Sequence, residues 1–240
     1  MCIWGAKMLE TKDLTLHYGD SQILNGISIE ALKGEVTCIM GTNGVGKTSL
    51  LNAIAGTHAR SNGEVVLKGA PIGKLSAHAL AKMGVAYVPQ GRMIFPFLTV
   101  RENLEVGFAC LPKAERFVPD RIFELFPVLK DMENRRGGDL SGGQQQQLAF
   151  GRALVTKPSL LLMDEPTEGI QPNIITLIGD VIKQLRQDGD MALVLVEQYF
   201  DFAYDLADSF YVLSRGKTVF EARKDATTRE DVQKAFSLMA

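Results

Sequence analysis

The chain has 240 residues, 46% hydrophobic and 22% charged, with a formal net charge of −2. That length can bury a substantial core, and the near-neutral balance gives no electrostatic case for nucleic acid as the main partner. Cys2, Cys38 and Cys110 are odd in number, widely spaced and without a C-x-x-C pair, so they imply a reducing compartment and neither a disulfide framework nor a zinc site.

Residues 1–7 read as an extension, with Met8 as an alternative start; they lack the apolar stretch of a signal peptide. The pattern predicts strands over 9–18 and 22–30, the first ending in Leu16-His17-Tyr18-Gly19. A strand-end aromatic such as Tyr18 is by default a packing residue, and its place just before the hairpin raises a ligand role.

Val36–Met40 is an apolar, β-branched run that predicts a buried strand. It opens into Gly41-Thr42-Asn43-Gly44-Val45-Gly46-Lys47-Thr48-Ser49, with the spacing G-x-x-x-x-G-K-T. Glycines there let backbone N–H groups turn inward around phosphate oxygens, and the helix predicted at 47–56 adds its positive dipole end. Lys47 supplies a point charge to the outer phosphates and Thr48 a hard oxygen for Mg²⁺. A plain glycine turn would not require Lys-Thr after the last glycine.

Further strands are predicted at 63–68 and 85–88, followed by Gln90-Gly91-Arg92-Met93-Ile94-Phe95-Pro96-Phe97-Leu98. Most of the apolar residues in that string read as core, with one or two left exposed as a docking patch. From 99 to 136 the pattern is helical, with breaks at Pro112, Pro119 and Pro127, and implies an inserted helical subdomain over about 95–157.

Leu140-Ser141-Gly142-Gly143-Gln144 then opens a helix running through Leu148 and Arg152, with Gln144 to Gln147 as a polar stretch of it. Ser141-x-x-Gln144 is by itself a capping box. The two glycines go beyond that, allowing a phosphate to approach their N–H groups and the Ser141 hydroxyl.

Ser159-Leu160-Leu161-Leu162-Met163 is another buried strand, ending in Asp164-Glu165-Pro166. Two carboxylates leaving one strand suit a division of labour, with Asp164 toward Mg²⁺ and Glu165 toward the attacking water. Strands near 192–196, 209–213 and 218–221 and a helix over 228–238 complete the order. No stretch approaches the ~20 apolar residues needed to span a bilayer.

Together these strings resemble the nucleotide-binding subunit of an ATP-binding cassette (ABC) transporter, over nearly the whole chain. The resemblance implies an α/β fold: a P-loop NTPase core with an antiparallel β subdomain and an inserted α-helical subdomain, one domain over 8–240. It implies a Mg-dependent ATPase with ATP and Mg²⁺ as cofactors. Two subunits, the same or homologous chains, would pair head to tail, each ATP lying between the phosphate loop of one and the 140–144 string of the other. Tyr18 would then stack on adenine, and Gln90 would sense Mg²⁺ and the attacking water. Two membrane permease subunits would dock in the groove formed by the 90–98 string, served indirectly by a solute-binding protein. That puts the chain on the cytoplasmic face of the membrane, as a peripheral subunit.

Two departures from the family pattern stand out. Glu197-Gln198-Tyr199 replaces the usual switch histidine with Gln198, whose amide can donate toward the γ-phosphate but cannot ionise near neutral pH. Hydrolysis is expected to survive; the rival is a non-hydrolysing regulatory subunit. In Pro166-Thr167-Glu168-Gly169-Ile170-Gln171-Pro172, Gln171 stands where the family more often has a dimer-contact aspartate. Both resemble the importer branch for branched-chain amino acids, urea and short amides. The expectation is the urea-type subunit, with a branched-chain amino acid or short-amide importer as the alternative.

Overall fold

The structure, a computed structural model, describes residues 6–238. Residues 1–5 of the expected extension lie outside it, whereas Lys7 already begins the first strand.

The chain order is β1 (Lys7–Tyr18), β2 (Ser21–Leu32), β3 (Val36–Met40), α1 (Lys47–Ala55), β4 (Asn62–Leu67), β5 (Ala70–Ile72), α2 (Ala77–Lys82) and β6 (Val85–Val88). There follow α3 (Val100–Val106), α4 (Asp120–Leu125), α5 (Pro127–Asp131), α6 (Gly142–Leu154), β7 (Leu160–Asp164), α7 (Pro172–Asp188) and β8 (Ala192–Glu197). The last are α8 (Phe200–Leu206), β9 (Ser209–Ser214), β10 (Lys217–Arg223) and α9 (Arg229–Ser237). The predicted strands and the helix after Gly46 are all present. Among the elements without a sequence expectation, β5 and α2 have three and six residues, too few to show a period.

The strands form an antiparallel sheet in the order β2-β1-β4-β5 and a six-stranded sheet in the order β10-β9-β3-β8-β7-β6. In the second sheet β9, β3, β8, β7 and β6 run parallel and β10 pairs antiparallel at the edge. The central strands β3, β7 and β8 are buried at every position because both faces are covered. Leu161, Met163, Leu193 and Leu195 join a core shared with the helical region, whereas Leu160, Leu162, Val194 and Val196 join a core shared with the antiparallel sheet and α1. This is the two-residue period of a strand sandwiched between layers.

The helical region is broken where the prolines predict. Thr99 caps α3 through a full capping box with Glu102, Pro119 precedes α4, and Pro127 begins α5. Asn103, fully buried, accepts from the Phe95 N–H and donates to the carbonyls of Phe95, Leu98 and Thr99. One side chain thereby holds the loop that leads into this region.

Candidate functional site: a phosphate loop and two amides around Glu165

All four parallel strands that carry candidate residues deliver them at their carboxyl ends. β3 leads into the glycine-rich loop, β6 into Gln90, β7 into Asp164 and Glu165, and β8 into Gln198. Ligands of open parallel sheets bind at this edge. A cavity of about 310 Å³ is lined there by Tyr18, Asn43, Gly44, Gly46, Lys47, Thr48, Ser49, Gln90 and Glu165.

The loop around that cavity is closed by its own lysine. Lys47, only 3% exposed, donates to the carbonyls of Gly41 (2.8 Å) and Thr42 (3.0 Å) and lies 3.3 Å from Glu165 Oε1. Gly46, the residue before α1, has φ +108, and a Cβ there would fall 2.8 Å from Leu24 Cδ2. Only glycine takes that backbone and that space, so the N–H groups opening α1 stay accessible to an anion.

Asp164 is fully buried; its Oδ1 accepts from Thr48 Oγ1 (3.2 Å) and its Oδ2 from the Tyr87 hydroxyl (3.0 Å). Burial raises its carboxyl above the ordinary range, the Thr48 and Tyr87 hydrogen bonds oppose that, and the Glu165 charge adds to it. Two hard oxygens side by side at the mouth of an anion cradle fit a Mg²⁺ that takes its remaining ligands from phosphate and water. Tyr87 has no motif to mark it, and only the β6–β7 pairing places it there.

Glu165, 9% exposed, sits at φ +47, a conformation disfavoured for a side-chain-bearing residue, held by its N–H donating to Val196 O at 2.9 Å. Two amides converge on its carboxylate. Gln198 Nε2 donates to Oε1 (2.5 Å) and also to Asn43 Oδ1 (2.7 Å), while Gln90 Nε2 donates to Oε2 (3.3 Å) and to Glu168 Oε2 (3.0 Å). The amide at position 198 therefore reaches both the candidate base and the phosphate loop.

Behind Gln198 lies a buried carboxylate. Glu197, 2% exposed, accepts from the Thr167 N–H and hydroxyl on one oxygen and from the N–H groups of Gln198 and Tyr199 on the other. Burial pushes its carboxyl up against those hydrogen bonds. It fastens the loop after Glu165 to the loop carrying Gln198, a role that a lone glutamate at a strand end does not reveal in sequence.

Tyr18 is 44% exposed, with its ring 4.3 Å from that of His58, whose Nε2 donates to the His17 carbonyl. His58 lies against the Tyr18 ring at a tilt of 32°, and it also escapes motif reading. Ser141, Gly142, Gly143 and Gln144 stand apart from the cavity. The Ser141 hydroxyl accepts from Gln144 N (3.4 Å) and Gln144 Oε1 from Ser141 N (2.9 Å), so the capping box is realised, with Ser141 exposed. The polar stretch is helical, but Gln146 and Gln147 are buried against the fold rather than solvated.

The 93–98 string corrects the expectation that most of it is core. Met93, Phe95 and Phe97 are 67%, 45% and 85% exposed, and Ile94 and Leu98 are only half-buried. The backbone of this loop is satisfied from within by Asn103, so its side chains need not pack inward. Met93, Phe95 and Val106 line a largely apolar groove of about 450 Å³ that reaches Thr48 and Asp164. Among the described residues no helix is long and apolar enough to cross a membrane.

The family description "ABC transporter" matches residues 24–168. The high-affinity branched-chain amino acid transport ATP-binding protein BraG of Pseudomonas aeruginosa is 41% identical, covering 88% of this chain and 91% of its own. The probable branched-chain amino acid transport ATP-binding protein LivF of Archaeoglobus fulgidus is 38% identical, covering 89% and 91%. The dimeric structure of MJ0796, a bacterial ABC transporter cassette, has a TM-score of 0.79 at 26% identity, covering 90% of this chain and 99% of that one. Both named relatives support the branched-chain amino acid alternative, and neither supports the urea expectation. The chain belongs to the ABC transporter family and has the fold of its nucleotide-binding cassette, an ATPase that uses ATP and Mg²⁺.

Proposed function

We propose that this chain is the ATP-hydrolysing subunit of an importer for branched-chain amino acids, working at the cytoplasmic membrane face as one of two paired cassettes. The observation that carries the enzymatic part is the convergence of Gln90 and Gln198 on Glu165 beside Lys47 and the Thr48–Asp164 pair. Lys47 and the N–H groups opening α1 bind the phosphates of ATP, and Tyr18 offers its ring to the base. Thr48 and Asp164 would hold Mg²⁺ and Gln90 would sense it; the ion, when bound, would neutralise phosphate charge. Glu165 takes the proton of the attacking water, and Gln198 orients that carboxylate and donates toward the terminal phosphate.

The exposed Ser141 turn completes the site of a second copy or of a homologous chain, a reading supported by the likeness to the dimeric MJ0796 cassette. The groove at Met93 and Phe95 receives a cytoplasmic segment of a membrane permease subunit, two permeases serving the pair. A solute-binding protein acts one step removed. Cargo rests on the relatives' names, because no residue of this site meets the transported molecule.

Two measurements test the reading. Purified protein should release phosphate from ATP only with Mg²⁺, which separates it from a non-hydrolysing subunit. The complete assembly should take up labelled leucine in preference to labelled urea; uptake of urea alone would reverse the cargo assignment and leave the ATPase reading intact.

A further inference from the structure

Gly91, Arg92 and Met93 take three successive left-handed backbone conformations, with φ of +72, +69 and +43. Arginine and methionine are disfavoured there, so contacts from outside the turn must hold it. Arg92 supplies most of them. Its Nη2 donates to the carbonyls of Glu168 (3.3 Å) and Gly169 (3.1 Å), and its own carbonyl accepts from Arg152 Nη2 on α6 at 3.2 Å. Gln90 adds a third link to the same loop through Glu168 Oε2.

The Arg92 guanidinium also lies against the start of α6. A Cβ built on Gly142 would stand 3.1 Å from Nη1 and 3.3 Å from Cζ. On the other side of that turn, a Cβ on Gly143 would meet Ile174 Cγ1 of α7 at 2.7 Å. The Ser141 turn, the loop after Glu165 and the turn at 91–93 thus form one packed surface, with a planar, five-donor side chain at its middle. Gln171, exposed and neutral, is not what ties these segments together.

We propose that Arg92 is a positioning residue that holds the Ser141 turn and the 168–169 loop in register, so that both meet the nucleotide side of a second cassette together. The inference rests on the paired-cassette reading above. Loss of Arg92 leaves each cassette able to bind ATP and weakens the pairing that ATP drives.

The test uses the full chain carrying Glu165→Gln, in which ATP persists, and measures ATP-dependent dimerisation by sedimentation. Adding Arg92→Met, which keeps the aliphatic bulk, should raise the dimer dissociation constant about tenfold, equivalent to ~1.4 kcal/mol. Affinity for a fluorescent ATP analogue should change less than about twofold, and Arg92→Lys should restore part of the dimerisation. With Glu165 intact, Arg92→Met should hydrolyse slowly in dilute solution and recover as protein concentration rises, which a catalytic or purely structural defect would not do. Equal dimerisation of Arg92→Met and its parent overturns the proposal alone. So does a matching loss of nucleotide affinity, which would mark Arg92 as upkeep of the fold. A parent that stays monomeric with ATP overturns the paired reading and the proposal with it.

Discussion

The phosphate-loop side of the molecule and the Ser141 turn are both glycine-rich helix starts, yet they differ in how complete they are. Around Lys47, groups at the ends of β3, β6, β7 and β8 already hydrogen-bond one another, so a second chain meets a preformed pocket. The Ser141 hydroxyl accepts from the turn's own capping glutamine, and the serine faces solvent. The first is preorganised by the sheet edge, and the second is a surface whose chemistry depends on what is brought to it. A serviceable helix cap and an unfinished binding surface can therefore be the same four residues.

Changes on the preorganised side should have the largest effects and leave ATP binding intact. Glu165→Gln should lower steady-state phosphate release by ~10²–10⁴ while retaining nucleotide affinity and favouring a closed ATP dimer, the range expected for a positioned general base. Normal turnover would remove Glu165 from that role. Gln198→Ala removes one donor beside Glu165 and should cost ~10² in rate, near the lower end for a single electrostatic donor. Equal rates in variant and wild type would place Gln198 outside the chemistry despite its 2.5 Å contact.

On the unfinished side, Ser141→Ala should show two separable effects. Loss of the cap should cost about 1 kcal/mol in urea unfolding. Hydrolysis should fall further than that stability change explains, with monomeric ATP affinity unchanged. If only the stability moves, Ser141 is a cap and nothing more, and the contrast between the two regions collapses.

The smallest effect concerns Glu197, the buried link between the loops flanking the site. Burial raises its carboxyl above the ordinary value of 4.5, so the folded state binds that proton more tightly than the unfolded chain. Its favourable contribution is complete below the ordinary value and is lost as pH rises through the higher folded value. The stability of wild type relative to Glu197→Gln should therefore fall as pH rises from about 4.5, the ordinary glutamate value. A difference independent of pH in denaturant melts would mean that Glu197 is ionised equally easily in both states.

Much of the site was legible because its chemistry is local. The G-x-x-x-x-G-K-T spacing, the carboxylate pair after an apolar strand and the serine–double-glycine helix start each need residues a few positions apart, and all occur where expected. Tyr87, His58, Glu197 and Arg92 were not legible, because each acts on a partner between 30 and 77 positions away. The loop at 93–98 was misjudged for a related reason. Apolar composition predicts burial on average, but Asn103 satisfies that backbone and leaves the side chains facing out.

By itself the sequence determined the strands, the anion cradle and the identity of the groups that can carry charge and protons, since these follow from short-range periodicity and backbone sterics. Only the tertiary structure decided which of those groups meet. The strand order β3-β8-β7-β6 brings Gln198, Glu165 and Gln90 to one edge and leaves the Ser141 turn outside it. Strand order is set by the packing of two cores on opposite faces of the sheet, a sum of many long-range contacts that no single stretch of chain encodes.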